Sequence, residues 1–208
     1  MKKYIVEFIG TFFLVLTVGM VVIEPDAGSL APLAIGSVLA VMIFAGGHVS
    51  GGHYNPAVTL AVAVRGRCPR SDVPGYWAGQ LLAGGAATVL VLWFKGFPAG
   101  VALDLHLPQA LAAEFLFTFA LTNTVINVAT AKGTANNSFY GFAIGFTVLA
   151  GAYAVGPVSG GSFNPAVTLG LLMLGKVTIV QWIAYTAVQL AAATAAGLLY
   201  RTLHPDDR

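Results

Sequence analysis

Hydrophobic residues along this chain gather into six long runs and two short ones. A membrane-crossing helix needs roughly 20 largely apolar residues. Six segments meet that length: Tyr4–Ile23, Leu30–His48, Pro74–Phe94, Pro108–Ala129, Phe139–Gly156 and Val177–Tyr200. Asn55–Val64 and Asn164–Leu174 are equally apolar but span about ten residues each, too few to cross. Each short run opens with Asn, a favoured helix N-cap, followed by Pro, which suits a first helical turn. Each also follows Ser-Gly-Gly, which invites extended or turned backbone. The pattern predicts an all-α membrane protein with six spans and two re-entrant half-helices entering from opposite sides.

One phrase occurs twice. His48–Leu60 reads HVSGGHYNPAVTL and Pro157–Leu169 reads PVSGGSFNPAVTL, an offset of 164 − 55 = 109 positions. Glu7-Phe8 and Glu114-Phe115 repeat at 107, with Thr11 and Thr118 in register. Gly36 and Gly145, Tyr76 and Tyr185, and Gln80 and Gln189 repeat at 109. Three spans per half is an odd number, so the second half inserts upside down. The expected organisation is a single channel domain over 1–208, an inverted repeat with halves at about 1–97 and 107–203. Such a repeat puts the functional site near the membrane midplane.

Charge orients the chain. With the N-terminus inside, Lys2, Lys3, Arg65, Arg67, Arg70, Lys132, Arg201 and Arg208 are cytoplasmic, and only Lys95 and Lys176 lie outside. Both termini are then cytoplasmic. Lys2 and Lys3 before an apolar run imitate a signal peptide, but Glu7 interrupts the run and no small-residue cleavage site precedes Glu24, so an uncleaved first span is expected. Short tails and lysine-poor loops suit a bacterial inner membrane. Hydrophobic residues make up 57% and charged residues 9% of the 208 positions, so most of the surface faces lipid. A net charge of +2, scattered, does not suit nucleic acid. Cys68, the only cysteine, excludes a disulfide framework, and no metal site or cofactor is expected.

Two half-helices meeting head to head bring positive dipole ends together, which disfavours cations. Asn55 and Asn164 would offer amide N–H groups there to a neutral solute. Irregular backbone at such depth is tolerable only beside protein or a wet cavity. Glu7 and Glu114, inside spans, are functional candidates by default. Support of the re-entrant loop is expected, since a proton relay would need basic partners within the spans. His48 and His53 flank the first Ser-Gly-Gly and are candidates for structural hydrogen bonding, with a pore-lining role open for His48. A secondary transporter would also suit an inverted repeat, but no buried ion pair offers coupling. An enzyme would need a catalytic constellation that the spans lack.

The chain resembles the aquaporin and aquaglyceroporin family, the major intrinsic proteins, over essentially its whole length, and the phrase from His48 is close to the family's first signature. That resemblance implies a six-helix bundle with two half-helices, assembled as a homotetramer with one pore per subunit, and passive passage of water and small neutral solutes. It implies a midplane built from Asn55, Pro56, Ala57, Asn164, Pro165 and Ala166, a vestibule role for His48, and a selectivity ring of Ile35, Ala152, Gly161 and Val167. The family pattern would place Arg at position 167, and His at 152 in strict water channels; this chain has neither. The expected ring is wide and apolar, passing polyols, urea or undissociated metalloid acids. Tyr153, Phe163 or Phe12 filling the space, and a water-selective channel, are the alternatives.

Overall fold

The computed structural model describes residues 1–98 and 100–207, so Arg208, assigned above to the cytoplasmic side, lies outside the described residues. Among the described residues eight α-helices form: α1 Lys2–Val22, α2 Ala31–Ser50, α3 Pro56–Arg65, α4 Val73–Phe94, α5 Leu107–Ala129, α6 Tyr140–Ser159, α7 Pro165–Met173 and α8 Ile179–Leu203. Six of them, all but α3 and α7, are long and apolar enough to cross a membrane.

The helix boundaries follow local chemistry. Proline stands in the first turn of α2, α4 and α5, where its missing N–H goes unmissed. Thr178 opens α8 with a reciprocal capping box to Gln181. At the other ends, α2 and α6 run further than the hydrophobic runs predict. Each continues to the serine of Ser-Gly-Gly, and α6 does so through Pro157. The expected irregular Ser-Gly-Gly therefore begins only at glycine. Gly51 (φ 91°) and Gly160 (φ 84°) take the left-handed conformation that closes a helix, and each N–H bonds the carbonyl four residues back at 2.8 Å.

Packing interleaves the two halves. α1 lies on α4 and α2, and α5 on α8 and α6, while α2 meets α6 across the halves. The short helices are exchanged: α3 packs mainly on α8, and α7 on α4. The α2–α6 crossing is close because both matched glycines sit in it. A Cβ on Gly36 would fall 2.8 Å from the Gly145 carbonyl oxygen. Such small-residue contacts are what hold helices together in lipid. Inside, Leu14, Leu39, Ile43, Val58, Leu121, Val125, Ile144 and Val167 belong to one apolar cluster. Outside, Ile5, Ile9, Phe13, Val41, Leu82, Leu116, Phe146 and Ile183 are exposed along the spans, as a lipid-facing surface requires.

Ion pairs and tail contacts gather at the end of the bundle that bears both termini. Lys3 pairs with Asp72, and the Asp207 carboxylate takes Arg65 at 2.8 Å and Arg67 at 2.9 Å. Lys132 N–H donates to the same carboxylate, and Arg201 donates to Val64 O. Lys95 and Lys176 lie at the far end, Lys95 donating to Pro25 O and Lys176 O accepting from Leu103 N–H.

Candidate functional site

The N-termini of α3 and α7 face one another deep in the bundle. Asn55 and Asn164 cap them, each Oδ1 accepting the N–H of the residue two on: Ala57 at 2.8 Å and Ala166 at 2.9 Å. Such a cap is worth about 1 kcal/mol. Each Nδ2 donates across the pseudo-twofold: Asn55 to Phe163 O and Asn164 to Tyr54 O, both at 2.9 Å. An amide nitrogen carries two hydrogens, so one N–H of each asparagine ties the halves together and the second is left over. Both asparagines line one cavity of about 260 Å³.

The residues that supply those carbonyls are held in an unusual backbone conformation. Tyr54 and Phe163 both have φ 48°, left-handed for a non-glycine residue, a strain of about 1–3 kcal/mol. The carboxylates of the spans hold them there. Glu7 Oε1 accepts from Ser50 Oγ (2.7 Å) and His53 N–H (2.9 Å), and Oε2 from Tyr54 N–H (2.6 Å) and Gln80 Nε2 (2.8 Å). Glu114 Oε1 accepts from Ser159 Oγ (2.8 Å) and Ser162 N–H (3.0 Å). Its Oε2 accepts from Ser162 Oγ (3.0 Å), Phe163 N–H (2.8 Å) and Gln189 Nε2 (2.8 Å). Both carboxylates are fully buried with no cation among these partners, so hydrogen bonds alone compensate their charge. Tyr76 and Tyr185 hydroxyls complete the frame, donating to Ser50 O and Ser159 O.

Known proteins resemble this chain in sequence and fold. The sequence pattern of the family described as Major intrinsic protein matches residues 1–154 and 135–208. Aquaporin NIP1-3 of rice is 38% identical over 218 residues, covering 100% of this chain and 75% of that protein. Nodulin-26 of soybean is 35% identical over 219 residues, covering 100% of this chain and 80% of its own. Among solved structures, the aquaglyceroporin of Plasmodium falciparum superposes with a TM-score of 0.75 over 99% of this chain and 95% of that one, at 21% identity. The chain belongs to the major intrinsic protein family.

Members of this family are passive channels rather than enzymes, and the chain is an integral membrane protein. These relatives are plant proteins and lend the expected bacterial membrane no support. Within this family framework, the ring positions can be located. Ile35, Ala152, Gly161 and Val167 all line the cavity that holds the two asparagines. Val58, the repeat counterpart of Val167, lines it too, so valine follows Asn-Pro-Ala in both halves. The side chains proposed as substitutes lie elsewhere. The Tyr153 hydroxyl donates to Ser29 O, Phe163 is buried against Phe117 with ring centroids 5.5 Å apart, and Phe12 packs with Phe8 and Phe13.

A second cavity, of about 730 Å³, opens at the end bearing the termini. His48 is exposed on its wall, and His53 lines both cavities, standing between them. The Thr59 hydroxyl lies 3.1 Å from both Asn55 O and His53 Nδ1; with its hydrogen directed at Asn55 O, Nδ1 is the donor to it. A neutral His53 then has Nε2 as its free acceptor. No group of three or more His, Cys, Asp or Glu able to hold a metal occurs among the described residues.

Beside this second cavity, in contact with Thr130 of its lining, lies what the sequence pattern missed. Arg65, counted there only as a positive charge, is buried, with its guanidinium 4.4 Å from the Tyr200 ring centroid. It donates to Thr130, Tyr200 and Asp207, joining the half-helix α3 to the tail. Hydrogen bonds from Lys132 N–H, Arg65, Tyr200 and Arg67 hold the Asp207 carboxyl well below its ordinary value. The signal available was an arginine ending a half-helix with an acidic pair near the chain's end.

Proposed function

We propose that the chain conducts water and uncharged solutes larger than water, such as polyols, urea or undissociated metalloid acids, past Asn55 and Asn164. The observation that carries this reading is the lining of the outer cavity. Ile35, Ala152, Gly161 and Val167 share it with the two asparagines, and no arginine is among its described lining residues. An arginine there would add a fixed charge and a planar fork of donors. Without it the cavity between the mouth and the asparagines selects by width and apolar contact, and the asparagine amides are the hydrogen-bonding groups that follow. The facing half-helix termini disfavour cations. The free N–H of each asparagine and His53 Nε2 offer a neutral solute donors and an acceptor in succession.

Assembly as a homotetramer, with both termini in the cytoplasm, belongs to the same proposal and is supported by the family relation and the lysine and arginine bias. Stopped-flow swelling of proteoliposomes against water, urea and glycerol tests the function. The wild type should pass all three. Val167→Arg should cut glycerol and urea flux at least about tenfold, a difference of 1.4 kcal/mol, while sparing water. Unchanged glycerol flux in that variant with high water flux would refute the ring assignment. Water flux without urea or glycerol in the wild type would establish a water-selective channel instead.

A further inference from the structure

The outer cavity lacks the family's arginine, yet it is not without charge. Among its described lining residues one side chain is formally charged, Lys176. Its backbone is pinned from two sides. Its N–H donates to Leu171 O at 2.8 Å, in the last turn of α7, and its carbonyl accepts from Leu103 N–H at 2.9 Å. Leu103 lines the same cavity, as do Ala31 and Pro32 at the start of α2. The lysine is thus fixed where the cavity opens toward the far end. Its ammonium is uncommitted: no carboxylate lies within 4.0 Å and no acceptor takes its hydrogens among the described residues. Lys95, the other far-end lysine, donates to Pro25 O instead.

A lysine following a helix C-terminus also complements that helix's dipole. That role explains its position after α7 but not the cavity around it. The cavity walls at this level are Val22, Ala31, Pro32, Leu103 and Gly160. They offer neither a counter-charge nor side-chain polar atoms to compete for the ammonium.

We infer that Lys176 is the residue that excludes cations from the outer half of the pore, standing nine positions after Val167 at the cavity mouth. This rests on the channel reading above. A monovalent cation passing about 6 Å from the ammonium is repelled enough to lower its occupancy roughly 3-fold at the dielectric of water. At the effective dielectric of a protein edge the factor is roughly 100-fold. A neutral solute meets no such barrier and gains a hydrogen-bond donor on the way in.

Urea and guanidinium make the test, being nearly the same planar shape with and without charge. The experiment measures water flux through proteoliposomes of fixed orientation while guanidinium is added on the side away from the termini. Block requires only that the cation enter the outer cavity, so the midplane dipoles do not mask the result. Wild type and Lys176→Arg should resist block. Lys176→Gln should be blocked at a concentration at least about threefold lower, and Lys176→Glu lower still. The differences should shrink in high salt, as screening demands. Urea at the same concentrations should leave all four proteins equal. Equal guanidinium block in wild type and Lys176→Glu, with water flux intact, overturns this inference alone. A wild type no more permeable than empty liposomes overturns the channel reading and this inference with it.

Discussion

Glu114→Gln keeps the shape of the side chain and removes half of its accepting capacity, which makes it the sharpest probe of the midplane. Either orientation of the new amide points an N–H at existing donors. At the Oε2 position it faces Phe163 N–H, Ser162 Oγ and Gln189 Nε2; at the Oε1 position it faces Ser162 N–H and Ser159 Oγ. Hydroxyls can turn, and Gln189 can turn its amide because its Oε1 is buried without a partner. A backbone N–H cannot turn. One buried backbone donor is therefore orphaned in either case, at about 1–3 kcal/mol. Glu114→Ala orphans both backbone donors, about 2–6 kcal/mol. For a chain of this size 1 kcal/mol moves a melting midpoint by about 2–4 °C. The midpoint in detergent, followed by circular dichroism, should fall roughly 2–12 °C for Gln and further for Ala. The Phe163 carbonyl that receives Asn55 should loosen with it, so the ratio of urea to water flux should change. The pH dependence of flux should not, because the carboxylate supports a loop and relays no proton. A Glu114→Gln midpoint within about 1 °C of wild type, or a newly altered pH profile, would refute this account.

Further outcomes follow from the end that bears the termini. The Asp207 carboxyl is depressed below its ordinary 3.8 by its hydrogen bonds, so its stabilising contribution is full above that value and is lost as pH falls through the lower folded-state value. Resistance of the 130–135 loop to a protease should therefore be flat from about pH 8 to pH 5 and reduced at every pH in Asp207→Asn. Equal digestion of the two proteins would remove the tail's role as a tie between loops. Burial raises the Cys68 thiol above its ordinary 9.0, leaving little thiolate at neutral pH. A membrane-impermeant maleimide should label this sole cysteine slowly, faster as pH rises, and only from the side of the termini. Labelling from the opposite side would reverse the topology.

The fold was legible because membrane insertion imposes simple rules on sequence. Each span needs length and apolarity, each re-entrant helix needs a cap, and duplicated residues at a fixed offset declare a repeat. Glu7, Glu114, Gln80, Gln189, Tyr76 and Tyr185 were visible as matched pairs, yet matching does not say what a side chain touches. Only the structure joins them into two frames around the loop backbones. The helical serines were missed because Ser-Gly-Gly suggests three irregular residues, whereas two glycines suffice to turn the chain. The carbonyls of Tyr54 and Phe163 carry no sequence signal as acceptors, since any residue supplies a carbonyl. Lys176 was visible only as one of two lysines on the outer side, since the charge bias places a residue on a side of the membrane and not in a cavity. It lines the cavity because the turn after α7 folds back over it.

The repeat duplicates backbone more faithfully than chemistry. At the 109-residue offset His48 faces Pro157, His53 faces Ser162 and Arg65 faces Leu174. In every pair the basic or aromatic-nitrogen member lies in the half that points toward the termini. Ser162 can give its hydroxyl hydrogen to Glu114, a bond His53 does not copy to Glu7; its ring lies against Thr59 and lines both cavities instead. A solute moving inward on the proposed path would therefore pass the Lys176 ammonium at the mouth, then meet valine, isoleucine and alanine, amides next and imidazole last. Shedding water costs a polar molecule its hydrogen bonds, so the apolar outer stretch favours solutes wide enough to touch its walls and weakly enough hydrated to leave water behind. Size and hydration would be judged outside the asparagines, and hydrogen-bonding pattern at and beyond them. One folded unit would thus apply two different tests in series, because its framework was copied more completely than its lining.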